Sequence, residues 1–360
     1  MAQAGAGVAR RVVVSTASFD YELPEALIAQ RPAASREAAR LLVLSPEGIE
    51  HRGVKDLVDL VPAEALVVMN RTRVRRARLF GKRAETEGRV ELLLLEPVDA
   101  TGRWRALGKA NRPLKVGDAV TAGALGIRVE EKHDDGMLTI KLESAEPVEA
   151  ALAKDGHLPL PPYIRRAADD TDDERYQTVF ARELGSVAAP TAGLHLSEAL
   201  LDALQARGAL LGFLTLHVGI GTFRPVSSDR LEDHVMHEEH VEVDAELADA
   251  VRQAEREGRP VVAVGTTVVR ALESVAALMG EVRQFSGSTR LFITPGYTFR
   301  VVDALLTNFH MPRSTLLALV AAFAGYDLMM SGYRSAIEHR YRFLSYGDAM
   351  WIPRCYGGSV

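Results

Sequence analysis

The sequence predicts an α/β body with a mixed, largely parallel sheet, plus an inserted small all-β barrel domain. Three observations predict it. From Arg71 to Lys141 short β-like runs follow one another, separated by glycine-containing turns. After Glu146 the pattern changes to strands alternating with helices, the signature of parallel pairing. With 360 residues, 47% of them apolar, the chain is long enough to bury two cores.

Along the chain, a helix is expected around Glu25–Gln30, then apolar strands at Arg40–Leu44 and Ala65–Asn70. The barrel runs are Arg78–Lys82, Arg89–Leu95, Trp104–Gly108, Ala119–Thr121, Ile127–Glu130 and Leu138–Leu142. Five or six short strands at this spacing fit a closed or partly closed barrel. In the body the expected strands are Leu210–Val218, Val261–Val264, Arg290–Thr294 and Val301–Leu305. The expected helices are Ser197–Arg207, Ala245–Glu257, Thr267–Leu278, Thr315–Phe323 and Ser331–Tyr341. The domain division is therefore residues 1–65 and 147–360 for the α/β domain and residues 66–146 for the inserted basic barrel.

Composition narrows the function. No apolar run reaches the roughly 20 residues that cross a bilayer, and Met1 to Ala17 lacks the order of a signal peptide, so no membrane partner and a cytoplasmic location are expected. Cys355 is the only cysteine, which excludes an intrachain disulfide and a cluster held by several thiolates. The net charge of -5 is unevenly spread: Arg71 to Lys115 holds 13 basic and five acidic residues, a local excess of +8. Such segregation points to a module facing a polyanion, with Arg73, Arg75, Arg76, Arg78, Lys82 and Lys109 as RNA contacts. A solvated barrel face would also carry such residues.

Several segments can carry chemistry. Ser186 to His195 is a run of small residues ending in histidine before a helix capped by Ser197; small residues let a ligand approach the backbone closely. A tight connector with a packed imidazole is the alternative. Leu214 to Pro225 reads as a strand entering a Gly219-Ile220-Gly221 turn, with His217 near the strand's carboxyl end, where open α/β sheets bind ligands. A hydrogen-bonded core histidine is the alternative there. Gly265-Thr266-Thr267 after Val261–Val264 resembles an anion-binding turn at a helix N-terminus, suited to the carboxylate of a methionine moiety, or an ordinary capping turn. His234, His237 and His240 stand three apart, a spacing that drifts around a helix, so no metal is expected. Asn308 can read a base edge, and Phe309 or Tyr297 can stack on one.

Eight segments stand in one collinear order: Phe19 to Pro24, Leu158 to Ile164, Tyr176 to Phe180, Val187 to His195, Thr215 to Val226, Gly265 to Ser274, Val301 to Ser314 and Tyr346 to Met350. Together they resemble the signature segments of the S-adenosylmethionine:tRNA ribosyltransferase-isomerase family of queuosine biosynthesis, from Phe19 to about Ile352. The resemblance implies that S-adenosylmethionine and a tRNA carrying 7-aminomethyl-7-deazaguanine at the wobble position react to give epoxyqueuosine, adenine and methionine. It also implies tRNAs with a GUN anticodon and no cofactor, S-adenosylmethionine being consumed as a substrate. The working unit is expected to be a monomer.

Carried onto matching positions, the resemblance makes His195, His217, His237 and His310 candidate acids and bases, because imidazole suits both tasks near neutral pH. Asp20 and Asp303 would orient them or bind ribose hydroxyls. Substrate contacts are expected from Thr191 and Gly193, from Gly219, Gly221, Thr222 and Arg224, from Thr266, Thr267 and Arg270, and from Tyr297, Asn308 and Phe309. The sequence departs from the family pattern at Arg71, Leu196 and His240. A non-catalytic RNA-binding protein is the competing reading; a methyltransferase is disfavoured because no acidic-x-Gly-x-Gly loop follows the body's first strand.

Overall fold

The computed structural model describes residues 15–219, 226 and 228–356. The chain opens with 3-10 turns, including one at Glu25–Leu27 where a longer helix is expected. Ile28 leaves that turn to bridge Phe343, and Pro32 follows closely, so the segment is drawn into a tertiary contact before a second turn forms. Strands β1 (Arg40–Ser45) and β2 (Gly48–Gly53) form an antiparallel hairpin, and α1 (Leu57–Leu60) leads to β3 (Leu66–Asn70) and β4 (Thr72–Val74).

The barrel follows: β5 (Arg78–Arg83), β6 (Arg89–Pro97), β7 (Arg103–Ala110), β8 (Ala119–Ala122), β9 (Leu125–Lys132) and β10 (Leu138–Glu143). It closes antiparallel in the order β10-β7-β6-β5-β8-β9. Alternation drives the closure: in β6 Val90, Leu92 and Leu94 point inward while their neighbours face out. Trp104, Ile127 and Ile140 join them in a separate core, to which α2 (Val148–Asp155) adds Ala151 and Leu152. The division expected at residue 66 falls before β3, yet all five residues of β3 are buried and the strand lies in the large sheet. The barrel strands themselves run from Arg78 to Glu143, after β3 and β4.

The chain returns through α3 (Asp170–Arg175), β11 (Glu183–Ser186), which pairs in parallel with β4, and α4 (Glu198–Ala206). The body is completed by β12 (Leu210–Leu216), β13 (Glu239–Val243), α5 (Ala245–Glu257), β14 (Val261–Val264), α6 (Thr266–Met279), β15 (Phe285–Thr289), β16 (Ala304–Asn308), α7 (Thr315–Ala324), α8 (Tyr326–Glu338) and β17 (Ala349–Ile352). The nine-stranded sheet has the order β15-β13-β12-β3-β14-β16-β17-β1-β2. Its centre, β12, β3, β14 and β16, is a parallel block, so these four strands end on the same edge. Antiparallel strands flank it. One core on each face buries the sheet, one including α5, α6 and α7, the other α1 and α4.

Two expected strands are displaced. Arg290–Thr294 forms no strand; the ladder lies just before it at Phe285–Thr289, whose Ser-Gly-Ser sequence gives little β signal but whose backbone pairs with β13. The last expected strand shifts from Val301–Leu305 to Ala304–Asn308, because the main-chain N–H groups of Arg300, Val301 and Val302 all donate to the buried carboxylate of Glu273. Among the described residues no single helix is long and apolar enough to cross a membrane.

Candidate active site

The shared carboxyl edge of β14 and β16 carries a small cavity of about 70 Å3 that opens to solvent. One wall is the small-residue loop Ala188 to Ala192, and another is the start of α6. Gly265 connects β14 to that helix at φ 98°, a conformation side chains disfavour, and its N–H donates to Leu306. The turn directs the helix N-terminus and Thr266 and Thr267 to the cavity. The Thr267 Oγ1 is buried and has no hydrogen-bond partner.

The adjoining wall comes from the end of β16: Thr307, Asn308, Phe309 and His310. Asn308 is 2% exposed, and its Nδ2 donates to the Leu344 carbonyl at 3.2 Å and to His195 Nε2 at 3.1 Å. A carbonyl can only accept, so this contact fixes the amide's orientation and leaves Asn308 Oδ1 buried without a partner. Leu344 reaches this position with φ 71°, a conformation rarely taken by non-glycine residues. An unsatisfied acceptor beside a cavity is costly unless a ligand supplies the donor.

His195 ends the small-residue loop and is 4% exposed. Burial lowers its pKa to about 4, with the nearby Asp348 opposing and Arg342 and Arg36 assisting the shift. Its Nε2 accepts from Asn308, so the ring is neutral with its proton on Nδ1. It stands behind Asn308 rather than in the cavity wall. His310 is the histidine in the wall, and burial lowers its pKa to about 3. Thr307 Oγ1 lies 2.8 Å from its Nε2, its N–H donates to Tyr333 Oη at 2.9 Å, and its carbonyl accepts from Tyr21. The residue is thus held from three sides.

His217 lies elsewhere. Its neighbour Val218 lines the cavity, but the His217 ring faces the seam with β4 and β11, where Nδ1 meets Thr72 Oγ1 at 2.9 Å. The His240 ring stacks on it at 6.3 Å, and Glu242 lies 3.1 Å from His240 Nε2. Burial and the His240 charge lower the His217 pKa. Gly185 makes the position possible, since a Cβ there would fall 2.5 Å from His217 Cε1. Gly185→Ala therefore displaces the ring, and the imidazole titration followed by NMR rises toward the ordinary value of about 6.5. An unmoved titration would contradict this packing.

The remaining candidates divide clearly. Thr191, Thr266, Thr267, Asn308, Phe309 and His310 border the cavity. Gly193 packs against Phe180 and Thr178 instead, where a Cβ would come within 2.9 Å of both. Arg270 forms a buried ion pair with Glu239, whose other oxygen accepts from the Gly219 N–H at 3.4 Å. Tyr297 donates to Glu273. Asp303 precedes β16, at the opposite edge of the sheet from Asn308, and accepts from the Val261 N–H. Asp20 and His237 are exposed and are not cavity-lining residues. Gly221, Thr222 and Arg224 lie outside the described residues. No group of three or more His, Cys, Asp or Glu arranged to hold a metal occurs among the described residues.

The departures from the family pattern have local roles. Arg71 pairs with Asp244 at 3.2 Å, Leu196 belongs to the core beside α4, and His240 stacks on His217. Asn70 is fully engaged in joining β3 to β12 and β4, through Leu216 and the Thr72 N–H. Asp348, a residue sequence reasoning did not single out, is 1% exposed and pins Arg40 and Arg342 near His195. Its signal was present in the Tyr346 to Met350 segment.

An open α/β sheet with a cavity at its carboxyl edge and a closed barrel inserted after a central strand defines an α/β protein whose ligand site is expected at that edge. More particularly, the chain belongs to the queuosine biosynthesis protein family, whose model matches residues 16–352. It is 50% identical over 363 residues to the S-adenosylmethionine:tRNA ribosyltransferase-isomerase of Sorangium cellulosum, covering 93% of this chain and 97% of that protein. It is 53% identical over 340 residues to the enzyme of the same name from an Anaeromyxobacter species, covering 93% and 98%. The crystal structure of S-adenosylmethionine tRNA ribosyltransferase from Thermotoga maritima is similar, with a TM-score of 0.54 and 34% identity over 93% of this chain and 99% of that one.

Proposed function

We propose that the cavity between α6 and the end of β16 binds S-adenosylmethionine, and that the chain transfers and isomerises its ribosyl moiety onto 7-aminomethyl-7-deazaguanine in tRNA, giving epoxyqueuosine, adenine and methionine. The observation that carries the siting is the pair of buried, unpartnered oxygens, Asn308 Oδ1 and Thr267 Oγ1, on residues that line one cavity. Asn308 Oδ1 suits an N–H of a purine-type base, and the α6 N-terminus suits a carboxylate.

The sulfonium acidifies the neighbouring ribose carbon, so a neutral imidazole can accept a proton there. His310 is the imidazole that borders the cavity; with a pKa of about 3 it is neutral but a weak base, so it can hold the proton only in passing, as the ribose carbon gives it up. The imidazolium so formed can pass that proton to a nitrogen of adenine as its bond to the ribose breaks; the deazaguanine amine then bonds to the ribosyl fragment and gives up a proton to solvent, and methionine leaves with the electron pair of the broken C–S bond. His195 holds Asn308 in register as a neutral acceptor. The reaction draws on no metal or redox cofactor, because the sulfonium supplies the leaving group. The reading extends to tRNAs with a GUN anticodon, a monomeric working unit and a cytoplasmic setting.

The test is adenine release from purified protein given S-adenosylmethionine with tRNA bearing the deazaguanine base or with unmodified tRNA. Adenine equal in amount to new epoxyqueuosine, and only with the modified tRNA, is expected. tRNA binding without adenine release would favour a binding protein instead.

A further inference from the structure

The inserted barrel is less cationic at its base than its sequence suggests. Arg75 pairs with Glu149 at 3.1 Å and lies over the Trp104 ring at 4.9 Å. Arg76 pairs with Asp173, Arg78 with Glu91, Lys82 with Glu87, and Arg83 with Asp118. Three of these acids come from outside the basic stretch, Asp118 just beyond it and Glu149 and Asp173 on α2 and α3, so folding neutralises charge that the sequence leaves unpaired.

Arg73 is different. It is the one outward residue of β4, exposed between buried Thr72 and Val74, and has no ion pair among the described residues. The parallel pairing of β4 with β11 sets Leu184 beside Arg73, and Arg182, whose N–H donates to the Arg71 carbonyl just before that strand, is also exposed and without an ion pair among the described residues. Both line a groove of about 390 Å3 between barrel and body, together with exposed Leu184 and the paired Arg75 and Arg76. The two acids in the groove are matched by those two arginines, which leaves Arg73 and Arg182 as its uncompensated charges. On the inner side of the same strand, Thr72 meets His217.

We infer that this groove holds the phosphate backbone of the RNA substrate, with Arg73 and Arg182 as the contacting cations. Arginine suits the task because its planar fork matches phosphate oxygens and never loses its charge near neutral pH. Arg75 and Arg76 shape the groove and, being paired, do not supply its free charge, and Arg78, paired with Glu91, does not line it. The inference rests on the proposed tRNA-modifying function and adds the path of the RNA along the seam.

The test is the affinity of an unmodified tRNA transcript with a GUN anticodon, measured over a range of salt concentrations. The proteins are the wild type, the double variant Arg73→Glu/Arg182→Glu, the milder Arg73→Gln/Arg182→Gln, and Arg256→Glu on the exposed face of α5 as a control for net charge. Thermal melts check that each variant folds. Expected is a loss of about 10-fold or more at roughly 0.1 M salt for the double charge reversal, a shallower salt dependence by about one to two ions, and a smaller loss for the glutamine pair. The control keeps wild-type affinity. Unchanged affinity and slope in both double variants, or an equal loss in Arg256→Glu, would overturn the groove assignment while leaving the proposed reaction standing. A wild-type protein that binds neither this transcript nor tRNA bearing the deazaguanine base would overturn both.

Discussion

His310→Asn lowers single-turnover adenine release by about 100-fold or more, with little change in the melting temperature. The expectation follows from position: His310 is the histidine in the cavity wall, and its main chain is tied to Tyr333 and Tyr21 independently of its ring. Asparagine retains a polar group near Thr307 but cannot take and return a proton. A rate within a few-fold of wild type would remove His310 from the chemistry and leave it a wall residue. The same substitution at His195 acts differently, because that ring's established partner is Asn308. There the loss is expected first in S-adenosylmethionine affinity, as the amide loses its fixed orientation.

The second large effect is acid destabilisation. His195 and His310 are neutral in the native protein, with pKa values of about 4 and about 3, each lowered mainly by burial. In the unfolded chain both titrate near 6.5, so between about pH 6.5 and those values the unfolded state binds more protons. Their stabilisation is therefore fully present above about pH 6.5 and is lost as pH falls toward 4 and 3. At pH 5 the two together account for a loss of about 4 kcal/mol. Urea unfolding followed from pH 8 to pH 5 should show a steady midpoint down to about 7 and a steep fall below 6.5. His310→Asn should flatten part of that fall. A midpoint unchanged between pH 7 and pH 5 would mean that these rings are not held neutral by burial.

The body was legible in the sequence where periodicity and caps agree. Ala245–Glu257 has an aspartate N-cap and a left-handed glycine at its end, and it forms as expected. The barrel was legible because its alternation is regular and its turns carry glycine. The unexpected strands have a common cause. Gly48–Gly53, Glu239–Val243 and Ala349–Ile352 are short, and their ladders are made with partners distant in sequence or through a hairpin of mostly exposed residues. No local signal announces such pairing.

The candidate site was legible as motifs but not as geometry. The sequence brought forward four histidines as equals; folding sends His310 to the cavity, His195 behind Asn308, His217 to the barrel seam and His237 to the surface. Likewise Asp303 is only a few residues from Asn308, yet the length of β16 separates them across the sheet. Arg182 gave no sign of itself, because its significance comes from the tertiary groove that it shares with Arg73.

The central claim is that S-adenosylmethionine occupies the cavity between the α6 N-terminus and Asn308. The most direct measurement is crystallographic difference density for S-adenosylmethionine bound to the protein. The account predicts density with a base N–H at Asn308 Oδ1 and the carboxylate at Thr266 and Thr267. Density at the His217 seam or elsewhere, with this cavity empty, would contradict it.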